Sequence, residues 1–141
     1  MAMQERERAL EQWGELVKYI SFSKGNKLML ATLSPAPGII GRGAALTLLS
    51  PSSADHAVVQ FAGLPLDKAR FPYVVKLQGP GGAQLTVGRF TFLDTGGGGS
   101  VAKPFDQDLT PYDMVVVRDA LGHIVLSGYL SDQLTLPSPT P

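Results

Sequence analysis

Two periodicities divide the chain. Over residues 4–22 the apolar positions Leu10, Trp13, Val17 and Ile20 fall three, four and three residues apart, the a/d spacing of a helix. Met3 extends the stripe backward and Arg6 interrupts it. Glu5–Arg8 and Glu15–Lys18 are i,i+3 pairs, each adding a few tenths of a kcal/mol, whereas Gly14 costs about 1 kcal/mol relative to Ala. The stripe predicts an amphipathic helix within residues 1–25. It either docks on its own domain or associates weakly with a second copy as a short coiled coil or juxtamembrane stalk, because three heptads are marginal alone. Lys24-Gly25-Asn26 ends it, with Gly25 as the left-handed stop.

Beyond this point the period drops to two. Alternating or β-branched runs predict strands at 27–33, 44–49, 56–62, 73–78, 84–93, 113–118 and 123–130. Turn residues separate them. Gly79-Pro80-Gly81-Gly82 offers Pro and Gly at the two central positions of a type II turn, and Asp119-Ala120-Leu121-Gly122 suits a short hairpin loop. Seven short strands with a turn every ten or so residues imply an antiparallel sandwich or barrel, and an Ig-like β-sandwich over residues 26–132 is the expected fold. Residues 133–141 form an extended, Pro-rich tail.

Composition agrees with one β domain in 141 residues: 16 Gly and 11 Pro are spread between apolar runs, and the apolar fraction is 44%. Twelve basic and twelve acidic residues cancel, so no overall field draws the chain to nucleic acid or an anionic membrane. The absence of cysteine excludes disulfides, thiolate metal sites and a cysteine nucleophile. No run reaches the roughly 18–20 apolar residues that span a bilayer, and the charged start is not a secretory leader.

Candidate chemistry is sparse. Phe92-Leu93-Asp94-Thr95-Gly96 is how aspartic proteases present a catalytic carboxylate, and a homodimer would have to supply the second one. Gly97 follows where such enzymes carry a small side chain, and Ile39-Ile40-Gly41-Arg42 precedes the motif instead of following it. Asp94 and Thr95 therefore read as turn formers, and glycines 96–99 as a mobile inter-strand loop. A phosphate loop would run from the glycines into a helix, and Pro104 disfavours a helix at Lys103. Asp106, Asp108 and Asp113 supply oxygen ligands for a cation in a spacing that matches no known loop. His56 and His123 open two strands without a third zinc ligand. No cofactor motif is present, and the residues alone point to a binding or structural module before an enzyme.

From Asn26 to Leu130 the order of small motifs is specific enough to compare. It runs Leu30-Ala31-Thr32-Leu33, then Val58 to Phe61 into Gly63-Leu64-Pro65, then Tyr73 to Leu77, then Gly88-Arg89-Phe90 and the glycine loop 96–99. Asp108-Leu109-Thr110-Pro111-Tyr112-Asp113 follows, before Met114 to Val117. This order resembles the extracytoplasmic C-terminal domain of the anti-sigma-K factor family, although Val75 and Lys76 stand where that family often places a Trp. The resemblance implies a sensory or regulatory domain at the outer face of a bacterial membrane, controlling transcription indirectly through release of a sigma factor. It also implies a cytoplasmic sigma-binding domain and a membrane helix upstream, neither of which is in these residues. Expected partners are thus proteins, with no nucleic acid and no cofactor. Two alternatives stand beside it: an unrelated secreted or envelope β-sandwich that binds protein or glycan, and a dimeric aspartic protease using Asp94.

Overall fold

The structure, a computed structural model, describes residues 27–51 and 54–131. The predicted helix with Leu10, Trp13, Val17 and Ile20, and the tail 133–141, lie outside the described residues. The described chain is mainly β, with strands β1 (Lys27–Pro35), β2 (Arg42–Leu49), β3 (Asp55–Ala62), β4 (Tyr73–Gln78), β5 (Gln84–Phe90), β6 (Gly99–Phe105), β7 (Met114–Arg118) and β8 (Ile124–Tyr129). Single 3-10 turns at Lys68–Arg70 and Pro80–Gly82 interrupt two of the connections. Gly81, at φ 74 and ψ 16, has the left-handed conformation that the third position of a type II turn requires.

All eight strands pair antiparallel in one sheet, in the order β5-β4-β7-β8-β1-β2-β3-β6. The expected two-sheet sandwich is not what this pairing shows. β1 is long enough to serve both halves, facing β2 from Lys27 to Leu33 and then β8 through Ser34 and Pro35. Its continuity makes one curled sheet whose end strands, β5 and β6, come back alongside each other. Phe61 and Phe90 meet edge-to-face with centroids 5.0 Å apart across this seam, and the backbone of Gly88 lies against Val101. Side chains close the seam where a backbone ladder would close a full barrel.

Inward positions follow the period-two pattern. Tyr73, Val75 and Leu77 of β4, Val115 and Val117 of β7, and Ala57, Val59 and Phe61 of β3 form one buried core with Leu33 and Leu126. A smaller cluster, Leu28, Leu46 and Val58 with Leu30 against it, uses the other face of β1–β3.

β6 is the strand that the periodicity does not reveal. The run predicted at 84–93 ends at Phe90, and the next strand starts within the glycine run, at Gly99. Two of its residues protect the edge that β6 presents. Lys103 shares a face with Val101 and Phe105, and its ammonium lies 5.4 Å over the Phe105 ring; Pro104 removes a donor from the strand. On the other side of the seam, β5 carries a register shift opposite Val75 and Lys76.

Candidate functional site

Because neighbouring strands alternate in direction, the connections sort to two ends. Residues 36–41, 63–72, 91–98 and 119–123 gather at one end, called here the loop end. Residues 50–54, 79–83 and 106–113 gather at the other, where the described chain also begins at Lys27 and finishes with Ser131 paired to Leu30.

The loop end is held by backbone bonds between connections. Gly63 N and Leu64 N donate to Gly96 O and Gly97 O at 2.8 and 3.1 Å, and Ala120 N donates to Arg70 O at 2.9 Å. Gly97, at φ 70, is needed for the first of these joints. A Cβ there would lie 2.6 Å from Leu64 N and would collide with the Leu64 carbonyl. Asp94 shapes the same loop: its Oδ1 accepts from Gly96 N at 2.9 Å and Gly98 N at 2.8 Å. The carboxylate is exposed and turned back onto its own backbone, the geometry of a turn former. The mobile loop expected at 96–99 is instead a built corner, in which Gly97 and Gly98 are buried and bonded.

A buried carboxylate ties the 63–72 connection to the β7–β8 hairpin. The Asp119 side chain is fully buried, and its Oδ2 accepts from Arg70 Nη1 at 3.1 Å. Its Oδ1 accepts from the backbone N–H of Leu121 and His123, both at 3.0 Å, and His123 Nδ1 lies 3.8 Å from Oδ2. Beneath them the buried Tyr73 hydroxyl donates to Pro65 O at 2.7 Å. Burial pushes this hydroxyl above its ordinary range against the opposing pull of the Arg70 charge, and Asp119 and Asp67 push the same way as burial.

On this scaffold four large apolar side chains point to solvent, one from each connection. Ile40 is 78% exposed, Leu66 48%, Phe92 79% and Leu121 65%; among the described residues the fifth such side chain, Tyr129, ends β8 at the opposite end. Each tip has a cation beside it. Arg42 and Lys68 stand two residues after Ile40 and Leu66. Arg89 lines a depression of about 410 Å³ together with Phe92, and Arg118 Nη1 donates to Gly122 O at 2.9 Å, next to Leu121.

The opposite end is acidic. An open depression of about 760 Å³ is lined there by Lys27, Leu49, Asp55, Phe105, Asp106 and Asp108, among others. Asp55 is buried, and its oxygens are taken by Ser50 N and Leu109 N, both at 2.8 Å, so it ties the floor of this end together. Asp108 accepts from the hydroxyl and the backbone N–H of Thr110, which hold its carboxyl below the usual range. Asp106, Asp108 and Asp113 belong to this end, but no group of three acidic or histidine side chains among the described residues is arranged to hold a metal ion. His56, near the start of β3, and His123, just before β8, lie at opposite ends; the His56 Nδ1 is shielded from solvent without a hydrogen-bond partner. Among the described residues the two ends differ modestly in charge: Arg42, Lys68, Arg70, Arg89 and Arg118 face Asp67, Asp94 and Asp119 at the loop end, and Asp55, Asp106, Asp108 and Asp113 face Lys27, Lys76 and Lys103 at the other.

No family model, no curated protein and no solved structure matches the chain.

Proposed function

We propose that the chain is a binding and regulatory domain that makes contact through its loop end, serving as the extracytoplasmic domain of an anti-sigma-K-type regulator. One observation carries the first part. Three connections from distant parts of the sequence, 63–72, 91–98 and 119–123, are locked together by backbone bonds, and each of these and the 36–41 connection holds an apolar side chain in solvent. Loops fixed by a rigid sheet and tipped with unburied apolar groups are what recognition uses. The direction of the chain favours the second part. Lys27 leaves from the opposite end, so a domain tethered through its N-terminal side extends its loop end away from the tether. The order of motifs from Leu30 to Val117 supports the same reading. In it, β1-β2-β3-β6 and β8-β7-β4-β5 act as the two layers of an Ig-like sandwich, joined where β1 passes from one to the other.

The test is transcriptional. In the parent reading frame, deleting the codons for residues 27–131 should change the output of a reporter driven by the cognate sigma factor. Output identical to the intact gene, with and without envelope stress, refutes the regulatory role.

A further inference from the structure

The outer face of β1–β3 is apolar and buried where an antiparallel sheet ordinarily turns polar side chains to water. Leu28 and Leu30 of β1 pair with Leu48 and Leu46 of β2, which pair in turn with His56 and Val58 of β3. These side chains alternate with the inward set, so they form two rows across three strands, on the face away from the main core. Yet Leu28 and Leu46 are 1% exposed, Leu48 8% and Val58 9%, and the His56 Nδ1 is shielded as well. Cross-strand neighbours stand beside a side chain and do not roof it. Among the described residues the members of this cluster all come from the sheet itself, and Leu109 of the 106–113 connection packs in the main core instead. The burial is a band at the end where β1 begins. One row nearer the loop end, Ala44 and Gln60 are half-buried while Thr32 and Ser100 are exposed, and Ser34 and Arg42 beyond them are exposed too.

We propose that this band is the docking site of the chain's own residues 4–22, whose Leu10, Trp13, Val17 and Ile20 lie across the strands on Leu28, Leu30, Leu46, Leu48 and Val58. Connectivity carries the assignment. β1 starts at Lys27, next to Leu28 in the first row, so the segment before it reaches the band through the Lys24-Gly25-Asn26 stop alone. Size agrees. From Leu10 to Ile20 a helix runs about 15 Å, and three strands span about 10 Å before their side chains are added. Chemistry agrees as well: four large apolar side chains, one of them Trp, meet an aliphatic band, and Arg8, Glu11, Glu15 and Lys18, off the stripe, stay in water. The tail leaves from the same end, where Ser131 pairs with Leu30, but Leu134 and Leu136 are too few to cover three strands. A helix laid across the strands remains at the end where the chain enters and leaves the loop end free. A stripe seated there is also withdrawn from any coiled coil with a second copy. This inference goes beyond the regulatory role proposed above and does not rest on it.

Trp13 is the single Trp of the chain, so the intact protein carries its own probe. Its fluorescence should peak at short wavelength, resist quenching by acrylamide, and stay unchanged on dilution. Leu46→Ser, at the centre of the band, should shift the emission to longer wavelength and raise the quenching constant several-fold, because the apolar floor is interrupted there. Leu30→Ser, at the half-buried rim, should move both readings the same way by less. It reads the site where the first variant loses its strand signature in circular dichroism. Leu121→Ser, at the loop end, should change neither reading. A Trp13 open to acrylamide in the intact chain overturns the proposal and assigns the cover to the tail 133–141. Shielding that disappears on dilution overturns it in favour of pairing between two copies. Shielding that survives both band replacements in a folded chain overturns it too, and places the stripe elsewhere on the domain.

Discussion

Replacing Asp119 by alanine should cost more stability than any other single change at an ionisable residue of the loop end. The carboxylate is fully buried and accepts three hydrogen bonds, one from Arg70 and two from the hairpin backbone. A hydrogen bond to a charged group contributes about 1.5–3 kcal/mol net, and breaking a buried pair by removing one partner costs about 3–5 kcal/mol. Arg70 is 28% exposed and recovers part of its solvation, and the two N–H groups sit in a loop that water reaches, so the lower bound applies. The expectation is about 3 kcal/mol, or roughly 12–20 °C in melting temperature for a domain of this size. Circular dichroism melts, with urea midpoints to check the free energy, supply the measurement. Two further variants separate the contributions. Asp119→Asn keeps an oxygen for Leu121 and His123 and loses the ion pair, and Arg70→Met loses the pair alone; both should fall between wild type and Asp119→Ala. If Asp119→Ala lies within 1 kcal/mol of wild type, the carboxylate does not hold the two connections together. If Arg70→Met is the more damaging change, the ion pair dominates the turn bonds, and the ordering argued from geometry is wrong.

Three other outcomes follow from the same structure. Gly97→Ala should destabilise by about 3 kcal/mol or more, combining a left-handed φ with collision against Leu64, whereas Gly38→Ala, at similar φ in open space, should cost only about 1 kcal/mol; urea denaturation compares them. Tyr73→Phe should lose about 1 kcal/mol at neutral pH by removing the bond to Pro65. Because burial raises the Tyr73 hydroxyl above 10.0, its contribution is full below that pH and is lost as pH rises from there through the raised folded value. Melts between neutral pH and strong alkali should therefore show a step in wild type that the phenylalanine variant lacks. Lys103→Val with Pro104→Val should give β6 a continuous, uncharged edge, and light scattering should report association that wild type does not show at equal concentration.

The sheet was largely legible because its strands either alternate, as Tyr73 to Gln78 does, or are short β-branched apolar runs, as in Met114 to Val117. Tyr73 to Gln78 and the runs before Leu49, Ala62 and Arg118 end at or within a residue of the predicted boundaries. β6 was hidden for a physical reason. Its inward set, Gly99, Val101, Lys103 and Phe105, includes a glycine that must let Phe90 pass and a charge that reaches out through the seam. Edge strands are free to break the pattern in this way, and Val101 with Phe105 was the remaining signal. The single sheet was hidden too, since nothing in Leu30 to Pro35 announces that one strand changes partners at Ser34. At the loop end, Asp94 and Gly122 declared their turn roles through their spacing. Ile40, Leu66, Phe92 and Leu121 did not. Each is an ordinary apolar residue close to Gly, Pro or Asp, and only the alternation of strand directions brings them to one end.

The exchange of partners by β1 also has a consequence for error. A strand that slips by one residue turns its apolar set outward, and a strand with a single neighbour can do so by repairing one ladder. β1 is checked twice, by β2 along seven positions and by β8 at Ser34 and Pro35, with Ser131, just beyond β8, bridged to Leu30. A misthreaded β1 would have to satisfy both halves of the sheet in the same wrong alignment, so the strand acts as a key cut for two locks.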